Sequence, residues 1–370
     1  MFLSARAERY VSRLNRSERD TYLFFEKEHV PCYAAPMLRL APVVLAFLLA
    51  AAAPPARHPN PVLDADFPDP AVLEAPDGFY YAYATQTERG GRIIDIQVAR
   101  SRDLVHWRHL GDALPVKPTW ASRTQDFWAP HVVRHGRLYY LYYSAKPDAA
   151  LDDPKQGLCL AVGTATRPRG PFTDSGRPLQ CGEGFANIDP MAFDDPATGK
   201  RLLYWGSGFG PIKVRELAPD RLSFAPGSRA IDLVFPQKGA PYQELVEGAW
   251  MLRRGGFYYL FYSGDNCCGP KAHYAVMVAR SRSATGPFEK RPEPILEARG
   301  QWLAPGHNSL IEDERGALWT LYHAVDVDRP GEPVNTRRVM LLDRIVWRDG
   351  WPVVDGPTDT VPVTVTSDSH

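Results

Sequence analysis

The chain has 370 residues and a balanced charge, 43 Lys plus Arg against 43 Asp plus Glu. No basic or acidic excess points to nucleic acid or to an anionic membrane surface, so neither is expected as a partner. The 35 prolines and 29 glycines punctuate apolar runs instead of forming low-complexity tracts, which excludes extended disorder and predicts many turns.

In chain order, the first feature is an apolar run from Leu40 to Ala53 behind Met37-Leu38-Arg39. Its length, about fourteen residues, suits a signal-peptide core and is short for a membrane span. Ala51-Ala52-Ala53 and Pro54-Pro55 supply a cleavage zone. The polar, charged stretch before Met37 suggests that translation starts at Met37 itself. Residues 1–58 are therefore expected to be an N-terminal extension with a signal at about 37–53. The mature protein is expected to be secreted or periplasmic, with no integral membrane role. A cytoplasmic extension with a membrane anchor is the competing reading.

From about Pro59 onward no long helical period is visible. Short β-rich runs bounded by Gly, Pro and Asp take its place, among them Ile94–Ala99, Cys159–Thr164 and Tyr274–Ala279. Five similar openers recur: Asp69-Pro70, Ala129-Pro130, Asp189-Pro190, Glu247-Gly248 and Gly306-His307. Each is followed by a polar turn and an aromatic strand, such as Phe79–Tyr83, Leu138–Tyr142 and Phe257–Phe261. A step of roughly 60 residues marks the blades of a radial repeat. The expected fold is all-β, a five-bladed β-propeller of four-stranded blades forming a single domain over 59–370. Tyr80, Tyr139 and Tyr258 should fill the cores between blades. A domain this long is tolerated because each blade packs only on its neighbours.

Four cysteines follow the signal: Cys159, Cys181, Cys267 and Cys268. An even count in an exported chain permits disulfides, and Cys159 with Cys181 is the natural pair. Cys267 and Cys268 are adjacent, so a bond between them would close a strained ring. The spacing does not suit zinc.

Asp69, Asp189 and Glu247 open three of the inner strands, and inner strands line the axis of a propeller. Three carboxylates converging on one channel raise one another's proton affinity, a cost that only function would favour. Glycoside hydrolysis needs such a set: one protonated carboxyl for the leaving oxygen and one ionised carboxyl for water or attack. Glu247, in the apolar stretch Leu245–Trp250, is the expected general acid. Asp69, beside Phe67, Pro68 and Pro70, is the expected general base. Asp189, after Ile188, is expected to tune and orient.

The ordered set Asp66-Phe67-Pro68-Asp69-Pro70, Trp128-Ala129-Pro130-His131, Ile188-Asp189-Pro190, Val246-Glu247-Gly248 and Gly306-His307-Asn308-Ser309 resembles glycoside hydrolase family 43 over about residues 59–355. The resemblance implies a five-bladed propeller that cleaves arabinose- or xylose-containing plant polysaccharides with inversion. It implies the same base, acid and tuner, and no cofactor for the chemistry. Trp128, and less directly Phe67, are candidates to stack on a sugar. In such relatives an arginine near Arg338 reaches the substrate and the carboxylates, with Arg337 as the alternative here. A histidine at the place of His307 coordinates calcium in arabinanase-type relatives, so a structural calcium in the central channel is an option. A hydrogen-bonded structural role for His307 is the other. The loop Asp265–Gly269 either rims the pocket or is structural.

The chain ends at His370, too soon after the fifth blade for the sandwich domain of many β-xylosidases. That favours an arabinofuranosidase or arabinanase over a β-xylosidase. A non-catalytic carbohydrate-binding propeller is the alternative from another class. A retaining fructan-type hydrolase is disfavoured because Pro68, not Asn, precedes Asp69. Nothing in the sequence sets an oligomeric state.

Overall fold

A computed structural model describes residues 57–362. The expected signal at about 37–53 lies outside the described residues. Five antiparallel sheets follow one another along the chain, each a meander whose strands pair in sequence order. Their inner strands are Ala71–Ala75, Phe127–His135, Met191–Asp194, Val246–Arg254 and Trp302–Glu312. The second strands are the aromatic runs Phe79–Ala84, Leu138–Ala145, Arg201–Trp205, Phe257–Asn266 and Leu318–Asp326. This is the five-bladed propeller expected from the repeat.

Both faces of a blade meet a neighbouring blade, so both faces are apolar and the second strands read as continuous buried runs. Five packed cores result. They join blades 1 and 2, 2 and 3, 3 and 4, 4 and 5, and 5 and 1. Burying each large side chain contributes roughly 1.5–3 kcal/mol before entropy is counted. Four second-strand tyrosines also bridge to the next blade. Tyr83 donates to the Pro168 carbonyl, Tyr142 to that of Arg221, Tyr204 to that of Ala284 and Tyr259 to that of Gly350.

The ring closes without a blade shared between the two ends. Arg57–Pro59 pairs with Thr360–Pro362. Just beyond, the buried amide of Asn60 donates to the carbonyls of Leu342 and Thr358 and accepts from the Leu342 N–H.

Two details differ from the sequence reading. The run Ile94–Ala99 is not one strand: Arg92–Ile94 belongs to a separate hairpin, and Gln97–Ser101 is the third strand of blade 1. The break falls where the backbone N–H groups of Asp95 and Ile96 turn to the Asp112 carboxylate. Blade 2 carries a fifth short strand, Gln180–Cys181, paired with Cys159–Ala165. That pairing sets Cys159 opposite Cys181, and the two form a disulfide.

Candidate active site

Asp69, Ala129, Asp189, Gly248 and His307 occupy matching places at the head of the five inner strands, 59 or 60 residues apart, and all five have positive φ, from 47° to 63°. Left-handed backbone at a non-glycine residue is uncommon and marks a constrained position. The side chain of that residue (Asp69, Asp189, His307) or of the one before it (Trp128, Glu247) lines a single cavity.

Each of these five places has its backbone N–H received by a side chain from the preceding blade. Thr85 takes the N–H of Ala129, Ser144 that of Asp189, Ser263 that of His307 and His323 that of Asp69. Blade 3 has Gly206 at the matching place and offers no side chain there. The Gly248 N–H donates instead to the Asp189 carboxylate at 2.9 Å. Glu247 immediately precedes Gly248, so the Asp189 carboxylate is bonded to the Glu247–Gly248 peptide unit.

The side chains meet in a cavity of about 460 Å³, lined by Asp69, Thr85, Trp128, Asp189, Glu247, His307 and Arg338 among others. That size suits one or two sugar rings, within the usual range of ligand pockets. Asp69 accepts hydrogen bonds from Thr85 Oγ1 at 2.5 Å and Arg338 Nη1 at 3.1 Å, and its Oδ1 lies 3.3 Å from His307 Nδ1. Burial pushes its proton affinity up, but Arg338 and the two histidines outweigh burial and hold it well below the ordinary carboxylate range. Burial keeps His307 below its ordinary value and His323 at about 4, so Arg338 is the charge that counts at neutral pH.

Glu247 behaves in the opposite way. It accepts a 2.8 Å hydrogen bond from the Tyr274 hydroxyl. Burial, together with the negative charge of Asp69, still pushes its carboxyl up to about 8. Burial also drives Asp189 well above its ordinary value, with Glu247 and Asp69 adding repulsion. The Glu247–Asp189 pair therefore holds a proton at neutral pH while Asp69 lacks one.

The cavity brings together Asp69, Asp189, Glu247, Trp128, His307 and Arg338. Trp128 stands in blade 2 where Glu247 stands in blade 4, each just before the positive-φ residue. Arg337 is not at the site; it pairs with Asp64. Phe67 requires a correction. It is 0% exposed and packed among Val62, Val72, Leu321 and Met340 between blades 5 and 1. A ring with no accessible face cannot stack on a sugar. The loop Asp265–Cys268 does line the cavity.

Sequence reasoning missed Thr85, Tyr274 and His323, and also Phe185 and Phe209, which line the cavity. The receiving residues Thr85, Ser144, Ser263 and His323 recur at nearly the blade period, a signal hidden because their chemical types differ.

Calcium takes six to eight oxygen ligands. His307 brings one nitrogen, and the carboxylates beside it are engaged by Arg338, Thr85 and the Gly248 N–H. Among the described residues no group of three or more His, Cys, Asp or Glu is arranged around a metal position. These side chains by themselves do not build a calcium cage.

A propeller with an ionised carboxylate and a proton-holding carboxyl lining one cavity has the carboxyl pair that glycoside hydrolysis uses. Comparison with known proteins agrees. The profile of the glycosyl hydrolases family 43 matches residues 58–352. The chain belongs to that family, and the alternative of a non-catalytic binding propeller gives way to an enzyme that hydrolyses glycosidic bonds. It is 26% identical to the extracellular exo-α-(1→5)-L-arabinofuranosidase ArbA of Cellvibrio japonicus, over 70% of this chain and 80% of the relative. It is 28% identical to the β-D-galactofuranosidase xynD of Aspergillus niger, over 80% of this chain and 84% of the relative. A solved structure of a thermostable family-43 glycoside hydrolase superposes with a TM-score of 0.68, at 27% identity, covering 82% of this chain and 97% of that one.

Proposed function

We propose that the protein is an inverting glycosidase of arabinose- or xylose-containing plant polysaccharides and oligosaccharides, acting on α-L-arabinofuranosyl linkages in preference to β-xylosidic ones. The observation that carries this reading is that Asp69 and Glu247 line one cavity while their surroundings push their proton affinities in opposite directions. Glu247 gives its proton to the leaving oxygen. Asp69 takes a proton from a water that attacks the anomeric carbon from the other face. The cycle leaves Asp69 protonated and Glu247 ionised, and exchange with solvent resets both. Asp189, bonded to the Gly248 N–H, keeps Glu247 protonated and in place. The furanoside preference rests on the names of the two relatives above, both of which act on furanosides.

Trp128 offers a ring face to the sugar in the cavity. Arg338 has a buried Nε without a protein partner, which a substrate hydroxyl would satisfy. We place the mature protein outside the cytoplasm. The apolar run at Leu40–Ala53 supports this, as does the Cys159–Cys181 disulfide, since such bonds persist in oxidising compartments.

The test is hydrolysis of nitrophenyl α-L-arabinofuranoside, nitrophenyl β-xyloside and debranched arabinan by wild type and Glu247→Gln. Removing a general acid costs about 10²- to 10⁴-fold. The larger loss is expected on arabinan, whose leaving oxygen needs the proton more than nitrophenolate does. Equal rates in both proteins would remove Glu247 from the chemistry. Faster cleavage of the xyloside would overturn the substrate preference, and proton NMR showing retained anomeric configuration would overturn inversion.

A further inference from the structure

Cys267 and Cys268 are free thiols on the wall of the catalytic cavity, in a chain whose other described cysteines, Cys159 and Cys181, are joined. Their loop is pinned at both ends. Asp265 accepts the N–H groups of Tyr242 and Glu244, both at 2.9 Å. Beyond the pair, the Gly269 N–H donates to the Asn335 carbonyl at 2.9 Å. Within the loop, Asn266 Nδ2 donates to the Cys268 carbonyl at 3.1 Å. The two thiols therefore stay side by side and face the same cavity as Glu247 and Arg338.

We propose that Cys267 and Cys268 form a reversible thiol–disulfide site that reacts with small-molecule disulfides and, on closing, reshapes the cavity wall and alters hydrolysis. The site is independent of which sugar the enzyme takes. Cys268 is the attacking group. A hydrogen bond donated by the Cys267 thiol lowers its proton affinity to about 7 despite burial, and Arg338 adds to the effect. Its thiolate attacks one sulfur of the small disulfide and expels one thiol. The Cys267 sulfur then attacks the Cys268 sulfur of the mixed disulfide, loses its proton and expels the second thiol. Two protein S–H groups are oxidised and one small disulfide is reduced to two thiols, so atoms and electrons balance.

Adjacent α-carbons lie about 3.8 Å apart, less than the roughly 4.4–6.8 Å of ordinary bridges. The ring is consequently strained and easily reduced, which makes it a reversible site instead of a permanent staple. Closure draws the two sulfurs together and removes an ionisable group that bears on Glu247 and Arg338. Displacing substrate-positioning atoms by about 1 Å costs up to roughly 10²-fold in rate.

The experiment titrates the full chain, first reduced with dithiothreitol and desalted, with glutathione disulfide. Intact mass after alkylation counts the thiols, and kcat/KM is read on whichever glycoside of the panel is cleaved fastest. The expected result is loss of both thiols together with no glutathione retained. A change in kcat/KM on the order of tenfold should accompany it and reverse with dithiothreitol. The Cys267→Ser/Cys268→Ser variant, whatever its own rate, should not respond, although it keeps Cys159 and Cys181. The proposal is overturned if both thiols stay free in excess glutathione disulfide, or if glutathione remains attached to one of them. It is also overturned if kcat/KM does not change, or if the double variant responds equally. Thiol counting needs no substrate, so it fails or succeeds separately from the assignment of arabinofuranosides.

Discussion

At the scale of single residues the site depends on two carboxyls moved in opposite directions. Arg338 lies beside Asp69 and opposes the burial that would otherwise keep this carboxyl protonated. Glu247 has no cation of its own at hydrogen-bond distance, and Tyr274 bonds it without neutralising it. The pH profile of kcat/KM should accordingly have its acid limb well below the ordinary carboxylate range and its basic limb near pH 8, where Glu247 loses its proton. A basic limb below about pH 6 would contradict this assignment. The same shift has a thermodynamic consequence with a definite sign. A folded-state value raised above the unfolded one means that stability is fully present below the unfolded value, about 4.3. Stability is then lost as pH rises towards about 8, because the unfolded chain releases a proton that the folded chain retains. Glu247→Gln removes that penalty. The variant should be less active yet more stable at pH 7, by up to about 3 kcal/mol, with the gain vanishing near pH 4. Thermal melts of both proteins at the two pH values check it.

At the scale of elements, the loops between strands decide what the cavity can hold. Phe185 and Phe209 meet edge to face across the mouth, ring centroids 5.7 Å apart. Phe209 is 66% exposed, an unusual place for a ring of that size. The two loops are tightly joined, since a β-carbon on Gly208 (φ +74°) would come within 2.9 Å of the Ala186 backbone. Such a ring suits the apolar face of a sugar beyond the one being cleaved. Aromatic contacts contribute about 0.5–1.5 kcal/mol. Phe209→Ala should therefore lower kcat/KM on arabinan oligosaccharides by roughly 2- to 12-fold while leaving the nitrophenyl arabinofuranoside nearly unaffected. Steady-state kinetics on both substrates distinguish a rim contact from general damage, which would lower both equally.

At the scale of the whole molecule, five blades act as one site only if the ring stays closed. The joint is small: three residue pairs between Arg57–Pro59 and Thr360–Pro362, and the Asn60 amide beside them. Asn60→Ala would leave the Leu342 N–H and carbonyl buried without partners, at roughly 1–3 kcal/mol each. A fall in melting temperature of about 4–8 °C is expected by calorimetry. Blades 5 and 1 supply Arg338 and Asp69, so the loss should also weaken the ion pair between them and reduce activity below the melting transition. An unchanged melting temperature would show that the five inter-blade cores hold the ring without this joint.

The repeat, the aromatic strands and the three carboxylates were legible in the chain because spacing and alternation are local properties that survive without coordinates. The Cys159–Cys181 pair was legible for the same reason, lying within one blade. What a residue touches across the ring was not. His323 is 254 residues from Asp69 and Arg338 is 269 residues away, and no local pattern pairs them. Phe67 shows the limit most clearly. Two positions from Asp69 it looked like a sugar platform, but the closure of blade 5 on blade 1 buries it completely. Proton affinities belong to the same category. They are sums over charges and burial contributed by distant segments, so the sequence determined which carboxyls were present and only the closed ring decided which of them keeps its proton.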